Sequence, residues 1–356
     1  MNSFTIQTKG GIYTSSQLPE PKDDSFEGRA ILFCRQWVNG QTSFSLTTSG
    51  STGTPKVIQA TRDHMKQSAL ATARSIGLKS GQTSLVCLDP NYIAGRMMLV
   101  RSMEVGMNIF LAEPSANPFS YLSSNSSIDF VALVPYQVQT ILQSKEKSFF
   151  NSISNILIGG APLSQKTENE LQQYQCQFYE TYGMTETLSH IALRKVNGSE
   201  RSEYFQTLPN VGIRVDERQC LCIQVAFLEK EIITNDVVEL RNGNSFKWLG
   251  RLDHVINSGG IKLHPEEIEK KIALVFELLG LTNRFFIAGL PDGRLGTSVH
   301  LIIEGELTVE TQNSITHQIE SALSKYEIPK SIRWVRNFVE TATQKVDRKK
   351  TILSLE

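Results

Sequence analysis

The stretch from Thr48 to Lys56 carries the residue types of a phosphate-binding loop. Its residues are Thr48, Ser49, Gly50, Ser51, Thr52, Gly53, Thr54, Pro55 and Lys56. Small residues let backbone N–H groups approach an anion closely, hydroxyl side chains add hydrogen-bond donors, and the lysine supplies a positive charge. Strand-like runs flank the stretch at 43–47 and 57–60. These features predict a loop between two strands that binds the phosphates of a nucleotide triphosphate.

Two other interpretations of this stretch are open. Its composition also fits an ordinary surface loop rich in Ser, Thr and Gly. The Walker phosphate loop, G-x-x-x-x-G-K-[ST], is the nearer alternative, but it would need glycine in place of Pro55 and a hydroxyl residue in place of Val57. The sequence therefore departs from the Walker motif at two positions.

The composition favours small-molecule chemistry in a chain of about two domains. The chain has 356 residues, and its 36 Lys+Arg balance its 36 Asp+Glu, so no basic surface for nucleic acid or an anionic membrane is predicted. No apolar run approaches the roughly 18 residues of a membrane span, and residues 1–11 lack the apolar core of a signal peptide. We expect neither a nucleic-acid partner nor a membrane span, and the composition is compatible with a homo-oligomer.

The cysteines and histidines show no metal-ligand spacing. The five cysteines are odd in number and mostly lie in apolar runs, which is typical of small core residues and favours a reducing, cytoplasmic compartment. They are Cys34, Cys87, Cys176, Cys220 and Cys222. The six histidines are scattered and are predicted to be structural. They are His64, His190, His254, His264, His300 and His317. No G-x-S-x-G motif supports a hydrolase.

Hydrophobic periodicity predicts an α/β fold with parallel strands in the first half of the chain. Predicted helices cover 30–38, 61–76 and 93–105, a further helix begins at Pro135, and strand-like runs cover 85–88, 108–111, 130–134 and 156–158. After Ser189, short alternating strands with turn signals at Asn197-Gly198 and Asn242-Gly243 predict an added β region.

A second stretch that could form part of a binding site directly follows a predicted strand. Its residues are Ile158-Gly159-Gly160-Ala161-Pro162-Leu163. Two glycines at a strand end would let a flat ring lie against the backbone, and Ser164 can cap a helix running to about Tyr174. A Gly-Gly pair after a strand is also common in a simple turn. This stretch is therefore informative only in combination with others.

The third stretch is Tyr179-Glu180-Thr181-Tyr182-Gly183-Met184-Thr185-Glu186-Thr187. Together with Thr48–Lys56, it resembles the signature sequences of the adenylate-forming acyl-CoA synthetases, the AMP-binding superfamily that includes luciferases and nonribosomal adenylation domains. The resemblance implies that ATP is bound by Thr48–Lys56 and by Gly159, Gly160 and Ala161. It also implies that Tyr182, followed by Gly183, packs on adenine.

In the same resemblance, Thr185 contacts the α-phosphate and Glu186 holds Mg²⁺. A carboxylate fits the second role, because a carboxylate beside a triphosphate is repelled unless a hard cation lies between them. The alternative for Glu186 is an ordinary solvated surface acid.

A fourth match combines Thr234-Asn235-Asp236 with Gly250-Arg251-Leu252-Asp253. The resemblance implies that Asp236 binds the ribose hydroxyls and that Arg251 approaches the same sugar or the phosphate. The family usually has glycine where this chain has Asn235. Because asparagine tolerates positive φ better than most residues, we expect the turn to survive.

The resemblance further implies a large domain at 1–250 and a small mobile domain at 251–356, with Asp253 as the hinge. Gly259 and Gly260 would lie along the pantetheine tunnel of coenzyme A; a simple glycine turn ahead of the helix that Pro265 begins is the alternative. Lys345 occupies the setting of the family's catalytic lysine, although Gln344 replaces the usual glycine before it. Without the other matches, Lys345 would be a solvated charge.

The implied reaction has two steps: a carboxylic acid and MgATP form an acyl-adenylate, and the thiol of coenzyme A then displaces AMP. A non-catalytic AMP-binding scaffold is the alternative from another class, and it would be expected to have lost Glu186, Asp236 or Lys345. The segment before Thr48 is shorter than is usual in the family.

The residues 90–104 resemble those of the o-succinylbenzoate–CoA ligases of menaquinone biosynthesis, although a histidine usual near Tyr92 is absent. Another aryl or acyl acid is the alternative substrate. Arg101 is the candidate for binding the second carboxylate of such an acid, and Arg96 competes for that role. An i,i+3 ion pair between Arg101 and Glu104 is the structural alternative.

Overall fold

The structure, a computed structural model, describes residues 2–21, 23–47, 57–340 and 346–355. The predicted phosphate loop, Thr48–Lys56, and the predicted catalytic Lys345 therefore lie outside the described residues. Among the helices that are described, none has the length and apolar character needed to cross a membrane.

Strands and helices alternate in the first half of the chain, as the sequence predicts. The elements are β1 (Thr5–Thr8), β2 (Gly11–Thr14), α1 (Phe26–Val38), β3 (Ser43–Thr47), β4 (Val57–Thr61), α2 (Arg62–Ile76), β5 (Thr83–Val86), α3 (Ile93–Val105), β6 (Asn108–Leu111), β7 (Phe130–Leu133), α4 (Pro135–Leu142), β8 (Asn155–Ile158), α5 (Gln165–Leu171) and β9 (Gln177–Gly183). The hairpin of β1 and β2 has no counterpart in the prediction, β5 begins two residues early, and α5 ends at Leu171, short of Tyr174.

Antiparallel strands follow, and a second sheet with its own helices completes the chain. The elements are β10 (His190–Lys195), β11 (Phe205–Thr207), β12 (Val211–Val215), β13 (Cys220–Val225), β14 (Ile232–Arg241), β15 (Ser245–Arg251), β16 (Ile256–Ser258), β17 (Ile261–Leu263), α6 (Pro265–Leu278), β18 (Phe285–Asp292), β19 (Gly296–Glu304), α7 (Val309–Ala322), β20 (Ser331–Val335) and α8 (Arg348–Leu353). Asn242 and Gly243, with φ of 54° and 69°, form the predicted hairpin turn between β14 and β15.

One large sheet joins the α/β part and the added β region. Its thirteen strands run in the order β12-β13-β14-β15-β11-β10-β9-β8-β7-β5-β6-β1-β2. Pairing is parallel from β9 through to β1 and antiparallel on both flanks. A second sheet has the order β17-β16-β19-β18, with β20 on β19, and β3 pairs with β4 separately. The predicted fold class, α/β layers with an added β region and a smaller α+β unit, is confirmed.

Helices cover both faces of the parallel part of the large sheet. Phe130 and Leu157 belong to a core that includes residues of α1, α2 and α3. The next residue along each strand, Val131 or Ile158, belongs to a second core with residues of α4 and α5. This alternation is the period-two pattern of a strand buried on both faces. All five cysteines are buried and none forms a disulfide, as predicted for small core residues.

Helix α3 begins against the turn that precedes it, and glycine is needed at the contact. A Cβ on Gly95 would lie 2.4 Å from the carbonyl oxygens of both Leu88 and Asp89. Arg29, on α1, donates hydrogen bonds of 3.2 and 2.7 Å to the two carboxylate oxygens of Asp89. The position of α3, which carries both arginine candidates, is therefore fixed by backbone contact at its first turn.

We expect Gly95→Ala to destabilise the fold by about 1–3 kcal/mol, because the added methyl group must displace backbone atoms. The midpoint of urea unfolding measures the loss. Gly293→Ala is the matched control, since a Cβ there meets nothing within 4 Å and the change should stay within about 0.5 kcal/mol. Equal stability of the two variants would contradict the prediction.

Candidate active site

The Gly-Gly stretch and the Tyr-Gly-x-Thr-Glu stretch meet at the carboxyl ends of two neighbouring strands. β8 pairs parallel with β9, and Ile158 lies opposite Glu180. A Cβ on Gly159 would lie 2.3 Å from Thr181 Oγ1, and Gly160 has a φ of 92°. The first glycine is therefore required by close packing against β9, and the second by its left-handed backbone.

A buried ion network fixes the loop that follows these glycines. The Glu180 carboxylate accepts a hydrogen bond of 3.0 Å from the backbone N–H of Leu163. Arg194, on β10, donates to Glu180 at 2.8 Å and to Glu168, at the start of α5, at 2.5 Å. Both carboxylates are less than 10% exposed. The network ties the loop to β9, β10 and α5, and the sequence analysis did not identify it.

Tyr182, Asp236 and Arg251 come together although they are far apart in sequence. The Tyr182 hydroxyl donates a hydrogen bond of 2.5 Å to Asp236 Oδ2, and Arg251 lies opposite Asp236 with an N–O distance of 3.8 Å. Burial, and then the Asp236 carboxylate, raise the pKa of Tyr182. Trp248 Nε1, which the sequence analysis missed, donates to Asp236 Oδ1 at 3.3 Å.

The expected turn at Asn235 is not present, which corrects the prediction. Asn235 lies inside β14, and its φ is not positive. Its side-chain oxygen accepts a hydrogen bond of 3.2 Å from Arg218. Strand pairing with β15 carries Asp236 into position, so this site does not need the backbone freedom of glycine at position 235.

Thr185 and Glu186 lie on a short 3-10 helix, Thr185–Thr187, directly after β9. Glu186 is exposed, and no hydrogen bond or ion pair to its carboxylate is found among the described residues. That part of the chain also holds no group of three or more potential metal ligands. A single free carboxylate suits Mg²⁺, which takes few protein ligands and completes its shell with phosphates and water.

The two arginine candidates on α3 have different surroundings. Arg96 donates to the backbone carbonyls of Pro90 and Ser45, each at 2.6 Å, so it links α3 to β3. Arg101 is only 2% exposed, and its Nε has no partner in the described part of the chain. Its Nη1 donates a hydrogen bond of 3.5 Å to Met98 Sδ, and its guanidinium lies 5.9 Å from the ring centre of Phe130.

The alternative ion pair between Arg101 and Glu104 is not formed. The Glu104 carboxylate accepts a hydrogen bond of 2.9 Å from Trp37 Nε1 and lies 3.4 Å from Lys66 Nζ and 3.9 Å from Arg62. The helices α1 and α2 therefore supply the partners of Glu104. Arg101 is left as a buried cation without a carboxylate in the described structure.

His190 begins β10 close to this arginine. Its Nε2 forms a hydrogen bond of 2.8 Å with Thr72 Oγ1 on α2. Burial, and secondarily the charge of Arg101, lower the pKa of His190 well below its usual value of 6.5. The sequence analysis treated His190 as structural. In the sequence, His190 lies four residues after Glu186, and this closeness to a predicted site residue is the signal that could have identified it.

The predicted hinge residue, Asp253, lies in the segment between the two sheets. Gly259 and Gly260 lie at the start of the second sheet. Asp253 is in a short 3-10 helix, Leu252–His254, and accepts a hydrogen bond of 3.0 Å from Arg251 Nε. Gly259 and Gly260, with φ of 59° and 86°, form the two-residue turn between β16 and β17. The backbone accounts for both glycines, and their relation to coenzyme A stays a prediction.

Replacing His190 with glutamine should reduce the dependence of stability on pH. Because the pKa of His190 is lowered on folding, the unfolded chain takes up a proton that the folded chain does not as the pH falls through 6.5. This residue should cost the wild type about 1 kcal/mol of folding free energy between pH 6.5 and 5.5. Chemical denaturation across this range measures the effect.

His317→Gln is the control for this prediction. His317 is exposed on α7, so its replacement should keep the wild-type pH dependence. A pH dependence in His190→Gln equal to that of wild type would contradict the prediction.

Comparison with known proteins identifies the family. The family described as AMP-binding enzyme matches residues 12–223, which is more than half of the chain. An acyl-CoA synthetase (AMP-forming)/AMP-acid ligase II-like protein from Dyadobacter fermentans is 39% identical; the match covers 99% of this chain and 100% of that one, with a TM-score of 0.66.

Two further relatives carry more specific names. The 2-succinylbenzoate–CoA ligase of Listeria monocytogenes is 25% identical over 351 residues, which cover 92% of this chain and 73% of the relative. O-succinylbenzoate coenzyme A synthetase (MenE) from Bacillus subtilis, solved with ATP and magnesium, is similar in fold, with a TM-score of 0.71 at 21% identity over 86% of this chain and 69% of that one. The chain belongs to the AMP-binding enzyme family, and it groups there with AMP-forming acid–CoA ligases.

Proposed function

We propose that this protein joins an o-succinylbenzoate-like dicarboxylic acid to coenzyme A at the expense of ATP. The observation that carries the choice of acid is Arg101, a buried guanidinium without a carboxylate partner among the described residues. The name of the Listeria relative supports the same substrate class.

A second carboxylate on the substrate would complete the surroundings of Arg101. Burial lowers the pKa of Arg101 to about 10, so the side chain still carries its charge at neutral pH. An unpaired buried charge costs several kcal/mol, and a paired and hydrogen-bonded one costs less. A dicarboxylate whose second group meets Arg101 would remove this cost, whereas a monocarboxylate would not. Arg96 is less suited, because it already holds Pro90 and Ser45.

The first step would join the acid to AMP. An oxygen of the reacting carboxylate attacks the α-phosphorus, and the bond from that phosphorus to pyrophosphate breaks. Asp236 would hold the ribose hydroxyls, with its orientation set by Tyr182 and Trp248, while Arg251 approaches the same sugar. The loop Thr48–Lys56 and the backbone at Gly159–Ala161 would hold the rest of the nucleotide. Such sites accelerate the reaction by aligning the reacting groups and by neutralising the negative charge of the phosphates.

Charge neutralisation would fall to Thr185, Glu186 and Lys345. Glu186 would hold Mg²⁺, which offsets the charge of the phosphates when it is bound. Thr185 would donate to the α-phosphate. Lys345 would lie between the reacting carboxylate and the α-phosphate, where its positive charge lowers the repulsion between two anions.

The second step would transfer the acyl group to a thiol. The sulfur of coenzyme A attacks the acyl carbonyl carbon, the bond to AMP breaks, and AMP leaves with the electron pair. We propose that residues 251–356 turn about Asp253 between the steps, so that Lys345 withdraws and Gly259 and Gly260 border the path of the thiol.

Incubation with the acid, MgATP and coenzyme A should release AMP and pyrophosphate in equal amounts, and only in the presence of acid. Chromatography of the nucleotides together with a pyrophosphate assay measures both products. Reactions without acid are the control. ADP and phosphate as products would contradict the proposal, since they would indicate transfer of the γ-phosphoryl group.

Arg101→Leu should weaken the dicarboxylate reaction selectively. We expect a loss of about 2–5 kcal/mol in transition-state binding, calculated from kcat/KM, on o-succinylbenzoate, and little change on an analogue without the ring carboxylate. The experiment compares the two acids in wild type and variant.

Glu104→Gln, on the same helix, is the matched control for Arg101→Leu. Its carboxylate is held by Trp37 and Lys66, so the variant should affect both acids equally. Equal losses on both acids for Arg101→Leu would mean that Arg101 supports the fold only.

A further inference from the structure

A bidentate ion pair holds the chain just after the predicted catalytic lysine. Arg348, the first residue of α8, donates from its two terminal nitrogens to the two carboxylate oxygens of Glu269 on α6, at 2.8 and 3.0 Å. Glu269 Oε1 also accepts the backbone N–H of Ile287 at 2.8 Å. The guanidinium lies 5.5 Å from the ring centre of Phe286. The pair thus joins α8 to α6 and β18 in a fixed orientation.

The chain before the lysine is anchored as well. Glu340 and Val346 form an antiparallel bridge across residues 341–345. Arg284 donates to Glu340 at 2.6 Å and to both oxygens of Glu304 at 2.6 and 2.7 Å. Described residues on both sides of 341–345 are therefore held by arginine–carboxylate pairs: Arg348 pairs with Glu269 on α6, and Glu340 pairs with Arg284, next to β18.

The two anchors differ in exposure to water. The side chains of Arg348 and Glu269 are 26% and 18% exposed, whereas that of Arg284 is 47% exposed. Burial raises the pKa of Glu269 even though Arg348 opposes the shift. A partly buried pair of this kind gains little net stability, because desolvation offsets much of the attraction. Its geometry, two parallel hydrogen bonds in a fixed plane, is suited to fixing position.

We propose that Arg348 and Glu269 are positioning residues for the adenylation step, which they serve by fixing the chain next to Lys345. The inference rests on the proposed function, in which Lys345 acts in that step. Two residues separate Lys345 from Arg348 in the sequence, so the ion pair holds a described part of the chain next to the lysine. The thioester step would be spared, since no hydrogen bond or ion pair in the described structure joins Arg348 to the turn at Gly259 and Gly260.

The experiment measures the two steps separately in Arg348→Gln, Arg348→Lys and Glu269→Gln. Adenylation is followed as acid-dependent pyrophosphate release, and thioester formation is followed from supplied acyl-adenylate and coenzyme A. We expect adenylation to fall about 10- to 100-fold in kcat, the loss that a misplacement of about 1 Å can cause. Thioester formation should stay within about threefold of wild type.

The control breaks another ion pair on the same helix. Lys271 on α6 donates to both carboxylate oxygens of Glu327 at 2.7 and 2.8 Å. Among the described residues, neither of the two forms a hydrogen bond with Glu340, Val346 or Arg348. Lys271→Gln should leave both steps within about threefold of wild type. Selective loss in the Arg348 and Glu269 variants, and not in this control, supports the proposal.

A double-mutant experiment tests whether Arg348 acts through Lys345. Residues that act as a unit are non-additive, so Arg348→Gln should cause no further loss of adenylation in a Lys345→Ala background. A further loss in that background, or equal loss of both steps in folded single variants, would overturn the proposal. If Arg348→Gln does not fold, judged by thermal unfolding, Arg348→Lys and Glu269→Gln decide the same question.

The outcomes separate this inference from the proposed function. A wild-type protein that releases no pyrophosphate with any acid would overturn both. A wild-type protein active in both steps, with Arg348 and Glu269 variants that keep full adenylation, would overturn the positioning role alone.

Discussion

The change from parallel to antiparallel pairing at β9 is the constraint on which the candidate site depends. β9 has the parallel strand β8 on one side and the antiparallel strand β10 on the other. Parallel strands end at a common edge, and ligands of open α/β sheets bind at that edge. The loop at Gly159 therefore leaves the sheet beside Tyr182, while the antiparallel strands carry Asp236 to the same place. The contact between Gly159 and Thr181 is so close that a Cβ at position 159 would lie 2.3 Å from Thr181 Oγ1, and the threonine side chain or the strand would have to shift.

The protein uses buried arginines in two contrasting ways. Arg194 is surrounded by Glu168 and Glu180, so its charge is compensated within the fold and it stabilises the loop at the strand ends. Arg101 has no such carboxylate among the described residues. Its burial is costly unless a ligand supplies the missing charge. The compensated cation, Arg194, stabilises the fold, whereas the uncompensated one, Arg101, is where we propose that a substrate anion binds.

The second sheet is joined to the large sheet close to Asp236 and Arg251, for which we propose a role in nucleotide binding. Glu266, at the start of α6, lies so near the backbone of Gly250 that a Cβ there would come within 2.3 Å of its carboxylate. Lys247 on β15 lies 3.9 Å from Glu267. Both contacts involve the strand that also presents Trp248 and Arg251. A rotation about Asp253 of the kind we propose would have to break both contacts, which couples the position of α6 to the surroundings of Asp236, the proposed ribose-binding residue.

The sequence by itself determined those features that depend on near neighbours. The helices at 93–105 and 61–76 were predictable because hydrophobic periodicity acts over a few residues. The stretches that resemble the family predicted that Tyr182, Asp236 and Arg251 would lie near one another. Only the tertiary structure decided the environment of each charge. The partners of Glu104 come from two other helices, the burial of Arg101 and His190 depends on several elements, and Asn235 is shaped by its neighbouring strands rather than by a turn. Hydrogen bonds, desolvation and ion pairing between residues far apart in sequence depend on packing, and packing is a property of the whole fold.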